Sequence, residues 1–301
     1  MRFNFKKMAK NLRVVLKEAE AKRVAVGHFN ISDLVALKAI FEAAREISVP
    51  VMIGTSEGEG DFVGRKQAAA LVRVLREEFD YPIFLNSDHT KSFEKVKEAV
   101  AAGYDEILFD GSKLTFEENV KKTKEVVEYV KSVNPEILVE GEVGYIGSAS
   151  EVREELPEGA AIKPEDLTTP EEAKQFVYET GVDMLAPAVG NLHGMFANMP
   201  DPNLDIARIR AIKDAVKLPL VLHGGSGNTD EDFRMAIQAG VVVVHINTEI
   251  RLAWRKGLEA GLSSNPKEVA PYKIFPLAFE GVKGVVLKRL KLFNKLDASL
   301  V

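Results

Sequence analysis

The chain carries five histidines and no cysteine. Metal or acid–base chemistry must therefore be built from imidazoles and carboxylates. Each histidine (His28, His89, His193, His223, His245) falls at or just beyond the C-terminal end of an apolar run that reads as a strand. A lone imidazole in such a place is usually a satisfied core or surface residue. Five at equivalent positions are harder to dismiss, because strand ends are where an α/β barrel places its chemistry. His89 follows Asp88, His193 precedes Gly194, and His223 precedes Gly224, Gly225, Ser226 and Gly227, whereas His28 and His245 lie in more apolar sequence. Three imidazoles with one open position suit a catalytic zinc ion acting as a Lewis acid on a carbonyl oxygen. Asp88 fits two roles at this point, proton transfer or orientation of an imidazole. Glu140 and Glu142 share one strand face by the period of two, and burial there is costly unless they are paired or metal-bound.

A second chemistry lies next to the first. Leu-Pro-Leu-Val-Leu at 218–222 reads as a strand buried on both faces, and the glycine loop at 224–227 that closes it can hold a phosphate on backbone N–H groups. Asn247 and Thr248 stand at the start of a helix after the next strand, a second anion-binding position.

Positioning these groups falls to a repeated alternation. Strands are expected at 23–30, 50–54, 82–86, 106–110, 137–144, 183–190, 218–222 and 241–247, with amphipathic helices between them. The junctions at 102–109, 180–185 and 239–244 share one grammar of helix, glycine stop and strand. Eight alternations predict an α/β fold, a (βα)8 TIM barrel at about 23–260 within a single domain of 301 residues; a doubly wound open sheet is the other arrangement of such units. An extra N-terminal helix at 11–21 is expected to cap the barrel bottom. A C-terminal helical extension at about 261–301 is expected to pack on a neighbouring subunit. The segment 55–64 reads as a glycine-rich loop, and 145–168 as a long loop without periodicity, a length that usually serves function.

Composition narrows the partner. With 46% apolar and 28% charged residues and a net charge of −5, the chain reads as a soluble enzyme of small molecules, with neither nucleic acid nor membrane as partner. No apolar run approaches membrane-spanning length, and the first 20 residues lack a signal-peptide core, so a cytoplasmic location is expected.

Five further blocks surround Asp88–His89 in sequence: FNI at 29–31, VEGEVG at 139–144, GNLHG at 190–194, LHGGSG at 222–227 and INTE at 246–249. In this order the set resembles the class II, zinc-dependent fructose-bisphosphate aldolases, from about residue 24 to 255. The resemblance implies reversible aldol cleavage of fructose 1,6-bisphosphate to dihydroxyacetone phosphate and glyceraldehyde 3-phosphate, a step of glycolysis, by a homo-oligomer (dimer or tetramer). It implies His89, His193 and His223 as ligands of Zn2+ or another divalent transition metal, with Glu142 at an alternative metal position. It further implies Asp88 on the proton of the hydroxyl at the cleaved bond, and Asn30, Gly194, Gly224, Gly225, Ser226, Asn247 and Thr248 around the sugar phosphate. No lysine stands at a strand end to form a Schiff base, which agrees with metal chemistry.

The chain also departs from the family pattern. Asn86 stands where a histidine is usual, Ala197 and Val243 where lysines are, His245 where an asparagine is, and Ser150 where a loop glutamate is expected. Glu151, one residue on, is taken as the base that removes the proton from the carbon beside the ketone. Arg251 and Lys91 are candidates for the missing positive charge. These departures keep two other readings open, an aldolase of another ketose phosphate such as tagatose bisphosphate and a non-catalytic, metal-dependent sugar-phosphate binder.

Overall fold

A computed structural model describes residues 11–147, 151–153, 163–164, 166–196 and 202–297. Eight parallel strands close into a barrel: β1 (Val26–Asn30), β2 (Val51–Ser56), β3 (Ile83–Thr90), β4 (Glu106–Phe109), β5 (Leu138–Val143), β6 (Met184–Pro187), β7 (Leu220–Leu222) and β8 (Val241–Ile246). Each strand pairs with its neighbours in sequence and β8 returns to β1, with His28 opposite His245 in register. This is the expected (βα)8 barrel.

The helices between strands form and stop for local reasons. Thr115 with Glu118, Thr169 with Glu172 and Thr229 with Asp232 make capping boxes. Gly103 and Gly181 end their helices in the left-handed conformation. Each helix turns an apolar face to the barrel, so the main core is the layer between strands and helices, where Leu37, Ile40, Val96, Val130, Phe176, Ile212 and Phe233 are buried.

Inside the barrel the period of two stacks side chains in layers. The lowest is apolar: Val26, Met52, Phe84, Leu138, Met184, Val221 and Val243, closed from below by Leu12, Val15, Leu16 and Ala19 of the helix Leu12–Lys22. One step up the same strands the interior turns polar, with His28, Asn86, Glu106, Glu140, His223 and His245 all buried. An apolar floor therefore supports a polar mouth.

Four expectations are corrected. β3 continues through Ser87, Asp88 and His89 to Thr90, because its hydrogen bonds to β2 persist as far as Asp88. The glycine-rich 55–64 is mostly the helix Glu57–Val63, nucleated by a capping box between Ser56 and Glu59. β6 ends at Pro187, which has no N–H to extend the ladder. The helix Pro276–Phe293, expected on a neighbouring subunit, buries Val282, Val286, Leu290 and Phe293 within its own chain, against the helices Leu34–Glu46 and Thr248–Ser264. Its Arg289 bonds Glu249 and Asp230, and the Phe293 carbonyl accepts from the Ala25 N–H at 3.1 Å. In the long 145–168 segment, Val152–Arg153 pairs in parallel with Met195–Phe196, joining the loops after β5 and β6.

Candidate active site

Asp88 and His89 are adjacent on β3, so regular pleating would send them to opposite faces. The ladder with β4 shifts between Ser87 and Thr90, and His89 takes φ 47°, a left-handed value uncommon for a non-glycine residue. The irregularity turns both side chains to the barrel mouth, a use to which strand bulges are often put.

Three imidazoles meet there. One nitrogen from each of His89, His193 and His223 lies within 4.8 Å of the other two. His223 Nδ1 is 3.1 Å from His89 Nε2, and His193 Nε2 is buried without a hydrogen-bond partner. Two nitrogens on one tetrahedral ion, each at about 2.0–2.1 Å, would be separated by about 3.3 Å, so this donor set fits a zinc-like ion. The far side of two of the rings is braced. His223 Nε2 is 2.7 Å from Glu140 Oε1, and His89 Nδ1 is 3.2 Å from both Asp110 Oδ2 and Glu142 Oε2. When both rings are neutral, with these nitrogens donating to carboxylates, lone pairs are left on Nδ1 of His223 and Nε2 of His89, aimed at one point.

The electrostatics point the same way. Burial opposes charge on His89, but the carboxylates of Asp88 and Glu142 overcome it and hold its pKa well above the ordinary value. Burial likewise opposes ionisation of Asp88, and His89 with His245 reverses this, so Asp88 stays well below the carboxylate range. His193 is held well below its usual value by burial, and His223 is lowered to about 4 by burial and the charge on His89. Burial raises Glu140 and Glu142. Three carboxylates (Asp88, Asp110, Glu142) thus surround one imidazolium, a surplus of negative charge that a divalent ion would neutralise.

Beside this cluster lies a small pocket lined by Asn30, Asp88, His89, His193, Gly194, His223, Gly224, Gly225, Ser226, His245, Asn247 and Thr248. All the residues expected at the sugar phosphate are therefore gathered in one place. Gly224 sits at φ 62°, and a Cβ there would fall 2.3 Å from the Leu192 carbonyl oxygen, so the loop is specific to glycine. The Gly225 N–H, expected to face an anion, instead donates to the His245 carbonyl at 3.2 Å, which fixes the loop against β8. The helix Thr248–Ser264 has no side-chain cap at Asn247; the Glu249 N–H in its first turn donates to Ser226 Oγ at 3.4 Å, which joins the helix start to the glycine loop at the pocket.

Glu142 lies behind His89 rather than in the pocket lining. Glu151 is exposed in the wider mouth, which it lines with Asp88, His89, Lys91, Asp110, His193 and Arg251. Ser150 and Ala197 lie outside the described residues. Arg251 Nη2 bonds Glu59 Oε1 at 2.6 Å, and Glu59 Oε2 accepts from Asn30 Nδ2 at 2.9 Å.

Three neighbours of the site went unremarked in the sequence. Asp110 ends a strand as the histidines do, so the same positional rule applied to carboxylates would have found it. Glu59 was marked by the Ser56-x-x-Glu59 capping signature. Glu106, which accepts from Asn86, alternates inward with Leu108, but its position at the start of a strand hid it.

Residues 10–298 match the family described as "Fructose-bisphosphate aldolase class-II". The chain is 35% identical over 287 residues to the fructose-bisphosphate aldolase of Geobacillus stearothermophilus, covering 94% of this chain and 96% of that one. With the fructose-bisphosphate aldolase of Thermus caldophilus it shares 34% identity over 308 residues, 95% and 98% of the two chains. The crystal structure of the YdjI aldolase of Escherichia coli K12 superposes with a TM-score of 0.78 at 28% identity, over 95% of this chain and 97% of that one.

Proposed function

The chain belongs to the class-II fructose-bisphosphate aldolase family, and from that premise we propose that it cleaves fructose 1,6-bisphosphate reversibly into dihydroxyacetone phosphate and glyceraldehyde 3-phosphate. The observation that carries the reading is the convergence of His89, His193 and His223 beside Asp88, on the rim of a pocket whose far wall is the 224–227 loop and the Thr248–Ser264 helix start.

The three imidazoles would hold a divalent ion, which when bound supplies Lewis-acid stabilisation of negative charge developing on the ketone oxygen. The chain's own residues do the rest. Ser226, Thr248 and the helix N-terminus would hold the phosphate next to the ketone, and Gly194 and Gly224 let the backbone approach it. Asn30 donates to Asp88 Oδ2 at 2.9 Å and keeps that carboxylate turned to the pocket. Asp88 would then accept the proton of the C4 hydroxyl as the C3–C4 bond breaks. The C4–O bond becomes the aldehyde carbonyl, and the bonding pair passes to the ketone side as an enediolate. Glu151 in the mouth would return a proton to C3, and in the synthetic direction remove it. Arg251 and Lys91, in the same mouth, would face the second phosphate.

A coupled assay of triose phosphate release, with and without chelator, tests this proposal. Release that survives complete metal removal would overturn it. A second reading, cleavage of another ketose bisphosphate such as tagatose bisphosphate, is favoured by the buried His245 in the pocket wall, where the family pattern has an asparagine. The ratio of kcat/KM for the two C4 epimers decides between the substrates.

A further inference from the structure

The barrel interior holds a buried array that the reaction above does not use. Glu106 accepts from Asn86 Nδ2, which fixes the orientation of that amide, so Asn86 Oδ1 must accept from His28 Nε2–H, 2.9 Å away. The His28 ring is thereby held in one tautomer and one plane. Space for it comes from Gly54, where a Cβ would fall 2.2 Å from His28 Cε1. His245, the register partner of His28 across β1 and β8, lies flat on this ring, with centroids 3.5 Å apart and planes within 9°. Parallel planes so close cannot both contain one metal ion, so the pair is ill-suited to chelation. The second ring instead acts as a plate fixed by the first.

That plate faces Asp88. His245 Nδ1 stands 3.4 Å from Asp88 Oδ1, and both atoms are buried without a hydrogen-bond partner. A buried donor and acceptor left unpaired cost about 1–3 kcal/mol each, whereas an approach of a few tenths of an ångström would join them. Hydrogen bonds of this kind at active sites commonly tighten only when substrate is bound. Asp88 Oδ2 is already held by Asn30.

We propose that His245, backed by the ring of His28, is a positioning residue that completes the clamp on Asp88 and sets its carboxylate plane against the hydroxyl of the bond to be cleaved. The proposal rests on the aldolase reading. It assigns the histidine pair to carbon–carbon cleavage and not to proton exchange at the carbon beside the ketone, a half-reaction that needs no C4 hydroxyl.

Two reactions on the metal-loaded protein separate these steps: cleavage of fructose 1,6-bisphosphate, and exchange of the dihydroxyacetone phosphate proton with deuterated solvent in the absence of aldehyde. His245→Leu should lower kcat for cleavage roughly tenfold or more while KM, metal content and exchange stay within about threefold of wild type. His245→Asn, whose amide nitrogen takes the place of Nδ1, should restore cleavage to within about threefold. Should His245→Leu fail to fold, His28→Ala, which removes the ring that backs the plate and leaves His245 Nδ1, should show the same split. Wild-type cleavage in the folded variants, or parallel loss of cleavage and exchange, overturns the proposal. A wild-type protein with neither reaction overturns the aldolase reading itself, and the positioning role with it.

Discussion

His223 Nδ1 and His89 Nε2 lie 3.1 Å apart, although the strands that carry them, β7 and β3, are not neighbours in the barrel. The two rings meet across the mouth, each pushed forward by a carboxylate behind it. Single replacement of His89, His193 or His223 by alanine should therefore abolish stoichiometric metal binding and lower cleavage by about a hundredfold or more, read by elemental analysis and the coupled assay. Glu140→Gln should keep the fold and weaken metal affinity by about ten- to a hundredfold.

Metal retention should depend on pH with a definite sign. Metal binding needs the imidazole lone pairs, and neighbouring carboxylates favour the protonated form of His89, so protons compete with the ion. Chelator competition should show affinity rising with pH and the ion released as pH falls. Affinity independent of pH would contradict this account.

Ser226→Ala removes a hydroxyl from the anion pocket, and a hydrogen bond to a charged group is worth about 1.5–3 kcal/mol, so KM for the bisphosphate should rise roughly tenfold or more. The comparison is an unphosphorylated ketose, whose KM should not change.

Glu151→Gln should slow deuterium exchange into dihydroxyacetone phosphate by roughly a hundredfold or more while metal content stays full. Exchange at the wild-type rate would assign the base to another residue.

Burial lowers His28 to about 4. The folded protein thus refuses a proton that the unfolded chain accepts near its usual value of about 6.5. The resulting contribution to stability is present above that value and is lost as pH falls towards 4, on the order of 3 kcal/mol in all. Denaturant unfolding of the metal-free protein across this range should show the loss, and His28→Gln should flatten it.

The barrel and its floor were legible because strands buried on both faces and helices with one apolar stripe leave periods that survive in sequence. The histidines were legible because strand ends recur at a fixed place in each unit. What stayed hidden depends on contacts between distant residues. Nothing local to Glu106 says that it reaches Asn86, and the stack of His28 on His245 follows only from the β1–β8 register. The helix at Glu57–Val63 was hidden differently, since its glycines outweighed a capping signal that was present. The destination of the C-terminal helix was misjudged because its apolar face does not name the surface it covers.

The bond from the Ala25 N–H to the Phe293 carbonyl has a consequence for how the protein is made. Synthesis proceeds from the N-terminus, so β1 leaves the ribosome before the other seven barrel strands. One flank of β1 is taken by β2, which follows it in sequence, whereas the other is completed by β8 and by a helix that begins at Pro276, so that second flank is filled only after all the other strands have been made. Until β8 is made, the side of β1 that it covers has no strand to pair with. Ring closure therefore waits on β8, the last strand of the barrel, a pairing of high sequence separation.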